Sequence, residues 1–487
     1  MLSTPVRVRF APSPTGYLHI GGLRTALYCY LFARRTGGRF ILRIEDTDQS
    51  RLVEDAEEDI VASLKWAGFS VDESPEQGGP HAPYRQSQRG ALYRAHASTL
   101  IDRGHAYYAF DSPESIRLLR EHGQAYDAAH RMQMQNSLVL PRHNVEARLA
   151  NGDAYTVRLH VPEDTTICFE DCIKGTVKIP SNSLNDQVLV KSDGMPTYHL
   201  ANVVDDHLMG ISHVIRGDEW LPSTPKHVLL YRALGWQIPV MAHLPLILSP
   251  SGGKLSKRSA QRLGIPVDVR DYRTAGYEPE ALLNFLALLG WNPGTDKEVF
   301  SLAELEETFS LQRVGTSPGL FDLEKLKWLN GQHLSRMQPS EVLQRARPAL
   351  EAAGIAPDEA YATEVIRLVK NRMHRASDLA ELFSYFFADP ITYDAAGIRK
   401  RWKPDSPSLV LRYADRLARL APFDETSLEA ELRTLAKTAG VGGGRLIHPV
   451  RLAVSGTTAG PGLFAMLATL GRDSVIRRLQ AAAQALA

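Results

Sequence analysis

The chain has 487 residues, 44% of them hydrophobic and 23% charged, which excludes a disordered or fibrous polypeptide. That length suits about three domains. A formal net charge of +1 gives no overall pull toward nucleic acid or membrane, so any polyanion must be met by locally clustered basic residues. The N-terminal run Met1 to Gly16 lacks the apolar core of a secretory signal, and no stretch approaches the roughly 20 apolar residues that span a bilayer. Cys29, Cys168 and Cys172 are too few for a disulfide scaffold and fit a reducing compartment. A soluble, cytoplasmic protein that does not engage membranes is expected.

Val6, Val8 and Phe10 alternate with Arg7 and Arg9, the period-two pattern of a strand. After the Pro/Gly-rich turn Pro12 to Gly16, Leu23, Ala26, Leu27, Tyr30 and Leu31 share one helical face, and Gly37-Gly38 ends that helix. Arg39 to Ile44 reads as a second strand. Strand, helix and strand in this order predict a right-handed parallel unit and an α/β sheet. Ligands of such sheets bind at the carboxyl ends of the strands, which puts Ala11 to Gly22 and Glu45 to Asp48 on the binding side. From about Arg103 to Ser192 the chain turns to short mixed segments, read as an insertion into that sheet. Gln187 to Lys191 and His213 to Arg216 again read as buried strands. Beyond about residue 270, helically spaced residues such as Leu282, Phe285, Leu286 and Leu289 dominate, with loops at Gly442 to Gly444 and Gly460 to Gly462.

Two segments carry chemistry. Pro12-Ser-Pro-Thr-Gly-Tyr-Leu-His-Ile-Gly-Gly22 lies between a strand and a helix; its glycines let backbone approach a ligand, and a helix N-terminus attracts anions beside His19. The plainer alternative is a strand-to-helix turn with a capping histidine. Lys254-Leu-Ser-Lys-Arg258 follows a Gly-rich loop and can form a mobile cationic clamp on a phosphate; alone it is equally a solvated basic loop. It is not a P-loop, because Leu255 follows Lys254 where Ser or Thr is required. Ser251-Gly-Gly-Lys254 lacks the partner motifs of penicillin-binding enzymes.

Together these segments resemble class I aminoacyl-tRNA synthetases. His19 to Gly22 is similar to their His-Ile-Gly-His signature, and Lys254 to Arg258 to their Lys-Met-Ser-Lys-Ser signature. Arg43 to Asp48, Pro83 to Ser87, Pro196 to Asp206 and Arg216 to Trp220, in that order, narrow the resemblance to the bacterial-type glutamyl-tRNA synthetases, strongly over the first 330 residues and more loosely beyond. The resemblance implies an α/β fold: a Rossmann-like catalytic domain in two halves, 1–104 and 196–255, around an acceptor-end-binding insertion, 105–195. A stem-contact region, 256–328, and an all-α anticodon-binding region, 329–487 with a break near 385, would follow.

The implied reaction is ATP-dependent activation of L-glutamate to an adenylate and transfer to the 3′ end of tRNA(Glu), with His19, Lys254 and Lys257 as the catalytic set. Glutamate brings two carboxylates and one ammonium. Arg9 and Arg216 match the family's carboxylate-binding arginines, for which bidentate geometry suits arginine. Glu45 matches the residue facing the amino group, and Ala11, Ser13, Tyr198 and Asn202 complete the pocket. Gly21, Glu219, Trp220, Ile247 and Ser256 join His19, Lys254 and Lys257 around ATP, with Mg²⁺ held by pyrophosphate oxygens rather than protein side chains. For Trp220, packing among buried residues is the plainer reading.

Some relatives carry zinc in the insertion. Here Tyr107 to Asp111 has no nearby cysteine and Cys168-Phe-Glu-Asp-Cys172 lacks a second pair, so no zinc is expected. Arg367 to Arg375 and Arg399-Lys-Arg-Trp-Lys403, with its interleaved tryptophan, are candidate RNA contacts, and Arg372 matches the family's anticodon-reading arginine. A monomer is expected. Alternatives are a form that also charges tRNA(Gln), a tRNA-base-modifying relative, a glutaminyl-tRNA synthetase, a non-catalytic RNA-binding relative and a small-metabolite nucleotidyltransferase.

Overall fold

The computed structural model describes residues 5–255 and 257–486; Ser256 and the side chains of Lys257 and Ser259 lie outside the described residues. The chain divides into two compact units, Met1–Ala275 with Leu282–Leu323, and Gly276–Ala281 with Glu324–Ala487.

In the first unit, β1 (Arg7–Phe10), α1 (Ile20–Arg35) and β2 (Arg39–Leu42) form the expected parallel unit, with Arg7 opposite Arg39 and Phe10 opposite Leu42. The face of α1 bearing Leu23, Ala26, Leu27, Tyr30 and Leu31 is buried, but so are Tyr28, Cys29 and Ala33, making α1 an interior helix. Gly37 follows it at φ +64°, the left-handed conformation that favours glycine. β2 stops at Leu42, short of Ile44, because the chain there changes neighbour: the Ile44 N–H donates to Tyr84 O at 2.9 Å.

The unit continues through β3 (Ala106–Ala109), β4 (Thr156–Leu159), β5 (Thr166–Asp171), β6 (Gly175–Pro180), β7 (Val188–Val190), β8 (His213–Gly217) and β9 (Val240–Leu244). β3, β4 and β7 form an antiparallel sheet. A second sheet runs β6-β5-β9-β8, with β5 and β8 both parallel to β9. The hairpin of β5 and β6 therefore extends the sheet of β8 and β9 rather than standing apart with β3 and β4. β1 lies beside β8, the Ser212 N–H donating to Arg7 O at 2.9 Å. The carboxyl ends of β1 and β8 consequently open to the same side. Helix Tyr198–Leu208 and helix Thr224–Leu234 bury Leu200, Val203, Val204, Val228 and Leu230 in the core beneath these strands.

The second unit is helical, and its buried core runs from Leu334 to Ala483. Helix Ser406–Leu417 shows why: Leu409, Val410, Tyr413, Ala414 and Leu417 recur at helical spacing and are all buried. Helix Glu425–Thr438 is capped by Asp424, whose carboxylate accepts the Ser427 N–H at 2.8 Å. Gly444, expected in a loop, instead opens helix Gly444–Ser455. Among the described residues, no helix is long and apolar enough to cross a membrane.

Candidate active site

A cavity of about 810 Å³ lies in the first unit, at the carboxyl ends of β1 and β8. Its lining brings together Arg9, Ala11, Ser13, His19, Gly21, Glu45, Tyr198, Asn202, Arg216, Glu219, Trp220, Ile247 and Lys254, residues spread over half the chain. The two signature segments meet through backbone. The Ile20 N–H donates to Val267 O at 2.9 Å and the Val269 N–H to Leu18 O at 2.8 Å, so the segment after the Lys254–Arg258 loop docks on the start of α1. His19 caps α1, its Nδ1 accepting the Gly21 N–H at 2.8 Å. A Cβ at Gly21 would lie 2.6 Å from His19 Cε1, so a larger residue there would push the capping imidazole aside. Exposed imidazole and helix N-terminus together make an anion-accepting rim. Opposite, Lys254 Nζ stands 3.7 Å from Glu219 Oε1, and both side chains are about half exposed. Ser256 and the Lys257 side chain, assigned to the same clamp from sequence, lie outside the described residues.

Deeper in, the site is built from buried charge. Asp206 accepts from Arg9 Nε and Nη2 at 2.9 and 3.1 Å and from Arg43 Nη1 at 2.7 Å. Arg43 also reaches Glu45 at 3.1 Å, and the Asn202 amide donates to the same Glu45 oxygen at 3.2 Å. Burial would push Asp206 up, but Arg9 and Arg43 outweigh it and hold the carboxyl below the usual range. For Glu45, burial wins over Arg43, Arg9 and Asn202, and its carboxyl is pushed up. A cation arriving at Glu45 would relieve that cost. Asp205 joins this cluster at its edge, 3.9 Å from Arg43 Nε, and is tied to Arg89 at 2.7 Å, Gln86 at 2.8 Å and the Tyr93 hydroxyl at 2.8 Å.

Arg216 differs. It is 4% exposed and donates only to neutral acceptors: His243 Nε2 at 3.0 Å, the Tyr198 hydroxyl at 3.0 Å, His227 Nδ1 at 3.2 Å and Thr224 Oγ1 at 2.8 Å. Among the described residues no carboxylate lies within ion-pair distance of it. A buried guanidinium without an anion is costly unless a ligand supplies one. Tyr198 packs against Trp220 with ring centroids 4.3 Å apart and planes tilted by 35°, and Trp220 is 38% exposed rather than buried, a lip of the cavity instead of a core residue. Arg24, also on the lining, donates to Leu289 O and Pro245 O and thereby ties α1 to the segment before Ile247.

In the helical unit, Arg372 ends the short turn Lys370–Arg372. Its charge and that of Arg451 reach Tyr385: burial pushes the phenol up to about 12 while both arginines pull it back. The Tyr385 hydroxyl has no hydrogen-bond partner among the described residues. The basic run Arg399 to Arg401 forms the last turn of helix Ala395–Arg401. Trp402 is not an exposed stacking platform: it is 8% exposed and its indole N–H donates to Leu486 O at 2.8 Å. Cys168 and Cys172 are both exposed.

Sequence reasoning did not single out Arg43, Asp206, Asp171, His227 or His243. A signal existed for one of them. Asp205-Asp206 directly follows the apolar pair Val203-Val204, and acids that continue such a run into the core require buried cations.

A family model described as tRNA synthetases class I (E and Q), catalytic domain, matches residues 5–328, and one described as an anticodon binding domain matches residues 341–483. A glutamate–tRNA ligase of Amoebophilus asiaticus is 46% identical over 99% of this chain and 98% of its own. One of Phocaeicola vulgatus is 46% identical over the full length of both. The crystal structure of a glutamate tRNA ligase from Elizabethkingia meningosepticum, in complex with its amino acid, superposes with a TM-score of 0.93 at 40% identity, covering 99% of this chain and all of that one.

Proposed function

This chain belongs to the class I tRNA synthetases (E and Q), and from that premise we propose that it joins L-glutamate to tRNA(Glu) with ATP as the energy source. It is a ligase that works in two steps. An α-carboxylate oxygen of glutamate attacks the α-phosphorus of ATP; the bond to pyrophosphate breaks and glutamyl-adenylate forms. A terminal ribose hydroxyl of the tRNA then attacks the acyl carbon, and AMP leaves. Positioning and charge stabilisation carry most of such a displacement. One observation supports this reading above others: Arg216, a buried cation lacking a carboxylate among the described residues, opens into the same cavity as His19 and Lys254.

Roles follow from chemistry. Arg216 and Arg9 receive the carboxylates of the substrate, Glu45 its ammonium group, and Tyr198, Asn202, Ser13 and the Ala11 backbone the remaining polar contacts. His19, Gly21, Lys254, Ser256 and Lys257 hold the triphosphate; Glu219, Trp220 and Ile247 hold the nucleoside. Among the described residues no group of three or more His, Cys, Asp or Glu is placed to hold a metal ion. Mg²⁺, arriving with ATP, would be held on the triphosphate oxygens and would supply neutralising charge to the leaving pyrophosphate. Residues 105–195 receive the acceptor end and residues 329–487 the anticodon, with Arg372 reading a base. The protein acts as a cytoplasmic monomer.

Aminoacylation assays with glutamate and glutamine, each against purified tRNA(Glu) and tRNA(Gln), test this. Glutamate on tRNA(Glu) alone is expected. Glutamate on both tRNAs would establish the broader specificity, and no charging of either would overturn the proposal. Lys254→Ala and Lys257→Ala should each abolish tRNA-dependent pyrophosphate exchange while leaving the fold intact.

A further inference from the structure

Arg216 is oriented by a second layer of residues. A guanidinium can only donate, so His243 Nε2 and His227 Nδ1, at 3.0 and 3.2 Å, must both accept. That fixes both ring tautomers. His243 carries its proton on Nδ1, 2.6 Å from Asp171 Oδ2, and His227 carries its proton on Nε2, 3.1 Å from His199 Nδ1. Asp171 sits at the end of β5, is 3% exposed, and is itself locked by the N–H groups of Ile173 and Lys174, both at 2.9 Å. The chain of contacts therefore runs from the β5 turn, through His243 on β9, to Arg216 on β8.

Resting on the reading above, we propose that Asp171 and His243 are positioning residues for amino-acid selection: the Asp171 carboxylate sets the His243 tautomer, and His243 aims the Arg216 guanidinium at the side-chain carboxylate of the substrate. The logic is electrostatic. Had Arg216 been held by carboxylates, its charge would be spent internally and an uncharged side-chain amide would fit nearly as well. Ring nitrogens hold the guanidinium as firmly while leaving its charge for the ligand. Burial supports this, because it pushes the pKa values of His243, His227 and His199 below the ordinary histidine value and keeps all three rings neutral. With four acceptors used, one Nη2 N–H of Arg216 and the Tyr198 hydroxyl proton remain without acceptors among the described residues. Both residues line the cavity, and under the proposed relay these two donors share one carboxylate.

Asp171→Asn tests the relay without removing volume. An asparagine must turn either its NH₂ toward His243 Nδ1, forcing the proton onto Nε2 against Arg216, or its NH₂ toward the Ile173 and Lys174 N–H groups. Steady-state aminoacylation should show the KM for glutamate raised at least tenfold, with kcat and the KM for ATP within about twofold. The preference for glutamate over glutamine should fall in parallel. His243→Leu should do the same. His243→Gln, whose amide oxygen can accept from Arg216 Nε, should recover to within about threefold of the parent, and adding Asp171→Asn to it should change little. Equal rises in both KM values, an unchanged glutamate KM, or a His243→Gln variant no better than His243→Leu would overturn the relay. If Asp171→Asn fails to fold, the His243 pair decides alone. Failure of the unmodified protein to charge any tRNA with glutamate, by contrast, would overturn the functional reading before any variant is compared.

Discussion

Asp206 in the α/β unit and Asp389 in the helical unit make the same contact, one acid bridging two arginines, with opposite surroundings. Asp206 is 1% exposed and gathers Arg9 and Arg43, which are 3% and 0% exposed. Asp389 has 44% of its side chain exposed and gathers Arg477 and Arg478 at 2.7 to 2.9 Å on the rim of a helical core. Under the proposed function the first arrangement is preorganised for a small charged ligand, the protein bearing the cost of burying charge before substrate binds. The second fastens a helix whose core is already apolar. In the helical unit Arg372 and Arg451 have no ion-pair acid among the described residues, and both act on Tyr385, whose buried hydroxyl has no hydrogen-bond partner among them.

The contrast breaks most visibly at Asp206. Asp206→Asn leaves buried Arg9 without the acid it pairs with and Arg43 with only Glu45 and the more distant Asp205, and removing one partner of a buried pair costs about 3–5 kcal/mol. Native-state hydrogen exchange reads the two units separately. Opening free energies around β1, β2 and helix Tyr198–Leu208 should drop by that amount, while helix Ser406–Leu417 is unchanged. A loss below about 1 kcal/mol would mean that Arg43–Glu45 alone suffices. Arg216→Gln is next. It keeps hydrogen-bonding capacity but removes the charge, and losing one side of a desolvated ion pair is worth about 3–4 kcal/mol, or several hundred-fold in kcat/KM for glutamate. Since Arg216 has no ion-paired acid among the described residues to leave behind, stability should fall much less than for Asp206→Asn; a large fall would contradict its proposed role as a ligand-facing charge.

The parts of this design that the sequence displays are those set by local pattern. Alternation in Val6 to Phe10 and the periodicity of Leu23 to Leu31 gave β1 and α1, because both elements bury faces whose spacing is fixed by backbone geometry. His19, Lys254 and the pocket arginines were legible because they stand in motifs. The charge network was not. Arg9 meets Asp206 across nearly two hundred residues, and His243 meets Asp171 across more than seventy. Nothing local distinguishes an acid that neutralises an arginine from one that faces water. Trp402 misleads for the converse reason: a tryptophan amid basic residues suggests a stacking platform, yet helix Ala395–Arg401 ends just before it and turns the ring inward.

A smaller effect belongs to Arg372, proposed above to read a base, and to Arg451, which acts on the same tyrosine. Arg372→Ala and Arg451→Ala should each weaken tRNA binding about tenfold and flatten its salt dependence by roughly one phosphate contact. Adenylate formation at saturating tRNA should hold constant, because neither residue borders the cavity. Filter binding at several salt concentrations, beside pyrophosphate exchange, separates the two outcomes. A fall in exchange at saturation would mean that the helical unit does more than bind.

The smallest effect is expected at Asp389, and its size measures how different the two acids are. Hydrogen bonds from Arg477, aided by Arg478, pull its carboxyl down to about 2 from the ordinary 3.8. A folded value below the unfolded one means that the ion pairs stabilise fully above about pH 4, lose strength as pH falls further, and are gone below about 2. Solvent screening at a side chain 44% exposed limits their worth to about 1 kcal/mol at most. Arg478 also keeps carbonyl acceptors without the acid, Tyr385 O at 2.7 Å and Val454 O at 2.9 Å, so Asp389→Asn strands no buried donor. For a unit of this size that corresponds to roughly 2–4 °C in Tm near neutral pH. The gap between parent and variant should narrow as pH drops below about 4, and added salt should narrow it too. A gap above about 3 kcal/mol, or one indifferent to pH, would place Asp389 in the same class as Asp206 and dissolve the distinction between a charge buried for a ligand and a charge holding a helix.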